Sequence, residues 1–451
     1  MENLKSITKG KMWCYALGQL GWSMLSGLIG SWLVYFYQPA KTEIDAGMTL
    51  FIPQGTVVFG VLTIIGLITA AGRIFDAITD PLIGSLSDNC RSKLGRRIPF
   101  LKFSALPLAI VTLLVFCAPV RTVSQINTVW LCVFVTLYYF LITCYCTPYT
   151  SLIAELAHTQ EEKLQISTCI SLTFIVGTAI AYVAPVIWNI FISSFGMERI
   201  NAMRLTFGII SGISIVFLFI PVFTINEKDY VNIVPSKTNM FSSLLKTFKN
   251  HDFKIFVIQD LVYWFALTLF QTGLAFFVTQ LFKLPEEFAT YMFVGLTAVS
   301  LLFYPVVNLM ARKIGKKACV FVAFMAFCLT FFLTGLAGDF LVVKPEVQAV
   351  IVVVLGAFPM AIFGILPQAM VADIAQCETV ETGENRSGMF FAARTFAFKF
   401  GQSVAMLTFT SLATLGYRLV AITASIFCLI GGFCLLRYNE KRILEKIEND
   451  N

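Results

Sequence analysis

Long apolar runs separated by short polar breaks recur along the chain, near 12–37, 54–86, 99–119, 127–155, 164–194, 204–225, 254–281, 287–311, 316–336, 346–373, 388–416 and 417–437. A helix that crosses a bilayer needs about 20 consecutive, mostly apolar residues. The pattern therefore predicts an all-α membrane protein of twelve transmembrane helices, and 451 residues leave little chain for a soluble domain. Met1 to Lys11 is short and basic, and the run behind it is too long for a cleaved signal segment, so that run is expected to remain a span. Lys and Arg crowd the N-terminus (Lys5, Lys9, Lys11), the 2–3 loop (Arg91, Lys93, Arg96, Arg97), the 6–7 and 8–9 loops and the tail. By the positive-inside rule both termini are cytoplasmic, in a multi-pass protein of the cell membrane.

The longest polar break, Asn226 to Asp252, sits midway and carries Pro235, Ser236 and Lys237, as a linker should. The expected organisation is an N-terminal six-helix bundle (1–225), a cytoplasmic linker (226–253), a C-terminal six-helix bundle (254–437) and a cytoplasmic tail (438–451). The halves rhyme. Span 2 ends Pro81-Leu-Ile-Gly-Ser-Leu-Ser-Asp88, followed by Gly95-Arg96-Arg97; span 8 ends Pro305-Val-Val-Asn-Leu-Met-Ala-Arg312, followed by Gly315-Lys316-Lys317. A repeat after six spans points to two bundles related by an axis along the membrane normal.

Composition agrees with a bilayer: 57% of residues are hydrophobic and 13% charged, with a mean hydropathy of +0.80. The twelve Cys fall mostly inside apolar runs, where they pack as small hydrophobes. The only two His, His158 and His251, sit in polar loops, so neither a zinc nor a haem centre is expected. The net charge of +7 is split among short loops, which argues against a nucleic-acid partner. With no nucleophile motif or phosphate loop, the chain is not expected to be an enzyme and needs no organic cofactor. Its expected partners are the bilayer and a small-molecule substrate, taken by a monomer.

Candidate chemistry sits in span 2. Asp76 and Asp80 are four residues apart and share a helical face, with Thr79 beside them and Arg73 one turn away. Charges at membrane depth are costly and are kept for function or pairing. Two carboxylates and a hydroxyl suit Na+ or Li+, or one carboxylate carries H+; the alternative is a static ion pair from Arg73 to Asp76 or from Asp80 to Lys399. Asp88, Arg96 and Arg97, with Asp373 at the end of span 10, are candidates for a cytoplasmic gate. Topology alone also explains the basic residues.

Gly84-x-x-x-Asp88 with Gly95-Arg96-Arg97 resembles the 2–3 loop signature of the major facilitator superfamily. Together with Arg73-x-x-Asp76-Ala-Ile-Thr79-Asp80-Pro81, Thr147-Pro148-Tyr149, Met370-Val-Ala-Asp373 and Lys399, it is similar to the glycoside-pentoside-hexuronide cation symporter family over nearly the whole chain. The resemblance implies cation-coupled symport of a sugar, glycoside or sugar acid by alternating access. It also implies that Asp76 and Asp80 bind the coupling cation, with Thr143 and Lys399 nearby, at a site shared by spans 2, 4 and 11. The family's sugar-contact positions, aligned on Gly18-x-x-Gly21 and Pro148, hold Ser23, Cys146, Thr150 and Ser171 here, without the expected carboxylates. Arg394, five residues before Lys399, is an added cation. If it faces the cavity it can clamp an anionic sugar, with Trp22, Tyr149 and Phe390 stacking on a ring; otherwise it pairs with Asp373 or Glu384 or lies nearer the cytoplasmic rim. Asp260 in span 7 is expected to form an interfacial salt bridge. Lysophospholipid carriers also resemble this family, so an amphipathic anion is the alternative cargo; a non-transporting receptor or scaffold is a third reading.

Overall fold

A computed structural model describes residues 6–56, 58–157, 159–230, 246–338, 343–383 and 387–448. Most of the expected linker, together with His158 and Glu384, lies outside them. The described chain is helical nearly throughout. The first half holds α1 (Lys9–Tyr37), a short α2 (Lys41–Asp45), α3 (Ile64–Asp88), α4 (Ile98–Val115), α5 (Gln125–Leu156), α6 (Gln160–Tyr182), α7 (Ala184–Phe195) and α8 (Arg199–Thr224). The second holds α9 (His251–Phe276), prolonged by one π-helical turn, α10 (Phe288–Ile314), α11 (Lys316–Leu336), α12 (Pro345–Thr382), α13 (Ser387–Ala413), α14 (Tyr417–Leu435) and α15 (Glu440–Glu448).

Among the described residues, nine segments are long and apolar enough to cross a membrane by length and composition, counting α6 with α7 and α9 with its π turn as one each. Helices α1, α3 and α13 are as long, but Gly, Ser, Gln and charged residues dilute them. They complete the twelve spans and carry the Asp pair, Arg394, Lys399 and Trp22. Polarity in a span is costly, and here it marks the helices with candidate chemistry.

One boundary differs from expectation. Span 2 was expected from residue 54, but helix α3 begins only at Ile64. Pro53, Gly55 and Gly60 interrupt the run, and Gly55 and Gly60 take φ of +84° and +66°, which a helix cannot accommodate.

The chain forms two compact units, Met1–Gly60 with Leu67–Lys237, and Val61–Gly66 with Thr238–Asn451. In the first, α1 packs on α6 and α8, and α4 packs on α5 and α8. Small residues permit the close approach: a Cβ on Gly27 would lie 2.6 Å from that of Ala181. Trp32 fills the space beside this contact, its indole N–H donating to the Ala181 carbonyl at 2.8 Å. In the second unit α9 packs on α13 and α14, and α11 on α12 and α14.

The repeat read from the two Gly-basic-basic turns has a physical basis in each unit. Gly95 (φ +109°) and Gly315 (φ +87°) each precede a helix. The Glu227 carboxylate accepts the backbone N–H groups of Arg96 (2.9 Å), Arg97 (2.8 Å) and Ile98 (3.2 Å) at the start of α4. Glu440 does the same for Lys316 (2.7 Å) and Lys317 (2.9 Å) at the start of α11. An anion at these N–H groups, which have no helical acceptor, satisfies them and complements the helix dipole. A Cβ on Gly95 would lie 2.3 Å from Glu227 Oε2, so both the φ value and the carboxylate require glycine there.

Candidate functional site

Asp76 and Asp80 project from α3, and each carboxylate meets a hydroxyl of α5. The Thr143 hydroxyl donates to Asp76 Oδ1, and the Thr147 hydroxyl donates to Asp80 Oδ1 at 2.9 Å. One turn earlier, Gly72 meets Tyr139, whose ring would lie 2.4 Å from a Cβ at that glycine. The rungs 72–139, 76–143 and 80–147 advance by four residues on both helices, so α3 and α5 run in the same direction and stay in step. Gly72 allows the closeness that lets both threonines reach.

The hydroxyl protons have other acceptors. Thr143 can donate to the Tyr139 carbonyl at 3.0 Å, and Thr79 donates to the Phe75 carbonyl at 2.9 Å. With the proton turned to the backbone, each hydroxyl oxygen offers lone pairs to a cation. Thr79 and Thr143 oxygens stand 3.5 Å apart. Pro81 and Pro148 directly follow the Asp80–Thr147 rung and supply no N–H to the carbonyls of Ala77 and Cys144 one turn back. The result is a row of hard oxygens along the α3–α5 seam: two carboxylates and three hydroxyls. Such donors suit an alkali cation. Among the described residues no three His, Cys, Asp or Glu side chains converge.

Arg73 approaches Asp76 Oδ2 at 3.9 Å and lies over the Tyr139 ring, 5.1 Å from its centroid. Asp76 is buried and Asp80 is half-buried. Within the first unit Arg73 contributes one positive charge beside the two carboxylates. The expected choice between an Arg73 ion pair and a cation site is thus not exclusive: Thr143 holds Asp76 more closely than Arg73 does. Lys399 is half-buried on α13 of the second unit.

The gate candidates form clusters inside each unit. Arg97 pairs with Asp88 and Glu155 (3.1 Å) and donates to Ser87 at 2.5 Å. Arg96 reaches Glu155 at 2.5 Å. Asp373 pairs with Lys316 in the second unit. Of the acidic stretch that follows, Glu378 accepts from Asn250 and Glu381 pairs with Lys446. Glu155 and Glu227, the carboxylates that organise the first cluster, were not picked out from sequence; both lie far along the chain from the arginines they hold.

Two of the expected substrate contacts lie within helix packing in this structure. Tyr149 is fully buried, stacked on Tyr15 with ring centroids 4.3 Å apart, and its hydroxyl donates to the Tyr15 carbonyl at 2.7 Å. Ser23 is fully buried against Gly177, with its hydroxyl donating to the Gln19 carbonyl at 2.5 Å. Both are consumed by helix packing. Trp22 is half-buried with its indole N–H unpartnered, Cys146 is half-buried, and Thr150 and Ser171 are exposed with hydroxyls turned to their own helices.

Arg394 has a partner that neither sequence alternative named. Its Nε and Nη2 donate to the two oxygens of Asp260 at 2.8 and 2.9 Å, joining α13 to α9. The side chains are 6% and 2% exposed, so the pair is deeply buried rather than interfacial. An anionic ligand would have to displace a bidentate carboxylate. Phe390, the third expected ring contact, is buried edge-on against Phe253. Four residues further along both helices Trp264 stacks on Phe398 at 4.6 Å, and four beyond the next turn Thr272 meets Met406. The α9–α13 seam is therefore in step too.

Among known proteins, the chain is similar to the sodium-dependent lysophosphatidylcholine symporter 1 of Gallus gallus, 26% identical over 78% of this chain and 72% of that protein. It is also similar to the isoprimeverose transporter of Lactiplantibacillus pentosus, 24% identical over 67% of this chain and 59% of that one. Its fold matches an inward-open structure of the xylose transporter XylE from E. coli, with a TM-score of 0.67 over 97% of this chain and 98% of that one at 13% identity. The family model described as MFS/sugar transport protein matches residues 14–435. The twelve-helix architecture and this match together place the chain in the MFS/sugar transport protein family, as a multi-pass membrane transporter of the major facilitator fold.

Proposed function

We propose that the chain is a cation-coupled symporter whose cation, Na+ in the first instance, is held by Asp76, Asp80, Thr79, Thr143 and Thr147. The observation that carries this is the pair of Asp–Thr rungs between α3 and α5. Cation binding adds a positive charge between the Asp76 and Asp80 carboxylates. It thereby lowers the cost of carrying the site through an apolar environment, which biases an alternating-access equilibrium. The name of the Gallus gallus relative, sodium-dependent, supports Na+ over H+. Lys399 is the coupling residue of this reading, and the Asp88–Arg96–Arg97 and Lys316–Asp373 clusters stabilise one cytoplasmic state.

The cargo is a sugar or glycoside, in line with the isoprimeverose relative. Because Asp260 already occupies Arg394, nothing in the site favours an acidic sugar over a neutral one. A lysophospholipid is the second reading, favoured by the larger share of the chain that matches the lysophosphatidylcholine symporter.

Uptake into proteoliposomes of neutral glycosides, uronides and lysophosphatidylcholine, with Na+, Li+ or a proton gradient, separates these. Loss of one hydrogen bond to a charged group costs about 1.5–3 kcal/mol. Thr143→Val and Thr147→Val should therefore each raise the half-saturating Na+ concentration by roughly 10- to 100-fold. Unchanged cation dependence in Asp76→Asn and Asp80→Asn would refute the site, whatever the cargo.

A further inference from the structure

The first unit carries an apolar groove of about 410 Å³ between the start of α4 and the middle of α5. Phe100 and Phe103 form one wall, Phe140, Leu141 and Cys144 the other, and Cys90 in the α3–α4 turn closes one end. Its volume falls in the range of small-molecule pockets, yet its lining is almost wholly hydrocarbon, sulfur and aromatic ring. Phe103 is 78% exposed, standing at the rim.

The basic residues around that end distinguish it from ordinary lipid-facing surface. Arg91 follows Cys90, Lys93 is two residues further on, and Lys102 lies between Phe100 and Phe103; all three are exposed. None of the three makes an ion pair with a described residue, whereas the nearby acids are already engaged: Asp88 by Arg97, Glu155 by Arg96 and Arg97. The apolar slot is thus flanked in the chain by three exposed bases without an ion pair among the described residues, Arg91 and Lys93 in the α3–α4 turn and Lys102 near the start of α4. Lipid headgroups occupy the level of such turns in a bilayer, and basic clusters there attract anionic ones.

We propose that this groove is a binding site for an anionic phospholipid, with an acyl chain along Phe100, Phe103 and Leu141 and the phosphate held by Arg91, Lys93 and Lys102. The site is separate from the Asp76–Asp80 centre and does not depend on the nature of the cargo. Its occupant is a lipid of the surrounding leaflet, because Phe103 stands exposed at the rim and the lining is too apolar for a hydrated solute. Occupancy would brace the α3–α4 turn, whose arginines organise the Asp88–Glu155 cluster.

The test uses the purified full chain in detergent, titrated with phosphatidylglycerol or with phosphatidylcholine of the same acyl chains and read by native mass spectrometry. Each basic residue near a membrane surface is worth roughly a fivefold change in anionic-lipid affinity. The wild-type chain should retain one phosphatidylglycerol under conditions that strip phosphatidylcholine. Arg91→Gln/Lys93→Gln/Lys102→Gln should weaken phosphatidylglycerol by roughly 100-fold while leaving phosphatidylcholine unchanged. Phe103→Ala should weaken both lipids alike. These are surface substitutions, and an unchanged elution profile and melting temperature verify the fold. Equal retention of the two lipids by the wild type, or undiminished phosphatidylglycerol binding by the triple variant, would overturn the proposal.

Discussion

Removing either member of the Asp260–Arg394 pair should cost far more than removing both. The carboxylate and guanidinium are 2% and 6% exposed and share two bonds of 2.8 and 2.9 Å, with the guanidinium carbon 5.9 Å from the Phe256 ring centroid. Asp260→Leu leaves a guanidinium, and Arg394→Met a carboxylate, with no solvent and no counter-charge on that face. Breaking a buried pair in this way costs about 3–5 kcal/mol. The double variant removes both desolvation penalties, and replacing a buried pair with apolar residues of similar volume is often neutral or stabilising by about 1–4 kcal/mol. The coupling energy of the cycle should therefore exceed about 3 kcal/mol. Denaturant unfolding in detergent micelles, followed by intrinsic tryptophan fluorescence, measures the three differences, and uptake in proteoliposomes measures function on the same preparations. If the pair is a strut, the double variant recovers both stability and transport. Two single losses that simply add would refute the strut. So would a stable double variant that has lost transport of an anionic cargo alone, because Arg394 would then be gripping the ligand.

Three further substitutions test the geometry. Gly72→Leu places a side chain into the Tyr139 ring, 2.4 Å from where a Cβ would sit. By parting α3 from α5 it should raise the half-saturating Na+ concentration as strongly as Thr143→Val, an effect absent if the rungs carry no cation. Glu227→Gln and Glu440→Gln replace the carboxylates that cap α4 and α11. Losing charge-assisted caps should cost about 1–2 kcal/mol each, seen as faster hydrogen exchange at Arg96–Ile98 and Lys316–Lys317 respectively; unaltered exchange would contradict the capping role.

Hydropathy alone was enough for the twelve spans and the two halves, because the bilayer imposes a length and a polarity on every crossing segment. The Asp76–Asp80 face was legible for a similar reason: a four-residue step puts two side chains on one side of a helix in any context. Thr147 stands four residues after Thr143 as Asp80 stands four after Asp76, but only the parallel, in-step pairing of α3 with α5 joins them. The same limit holds for the other candidates. Tyr149 and Ser23 have the chemistry of ligand contacts, and which face of a helix a neighbour covers is decided by packing, not by residue type. Arg394 was assigned to a ligand or to acids near it in sequence, yet Asp260 holds it from 134 positions away. The start of α3 at Ile64 was likewise obscured, since hydropathy averages over the positive-φ glycines that break the run. Sequence by itself determined the solvent, the number of crossings and which helices carry charge, all local consequences of composition and period. Tertiary structure decided which charges meet, because partners brought together by helix packing leave no mark on the spacing of either one.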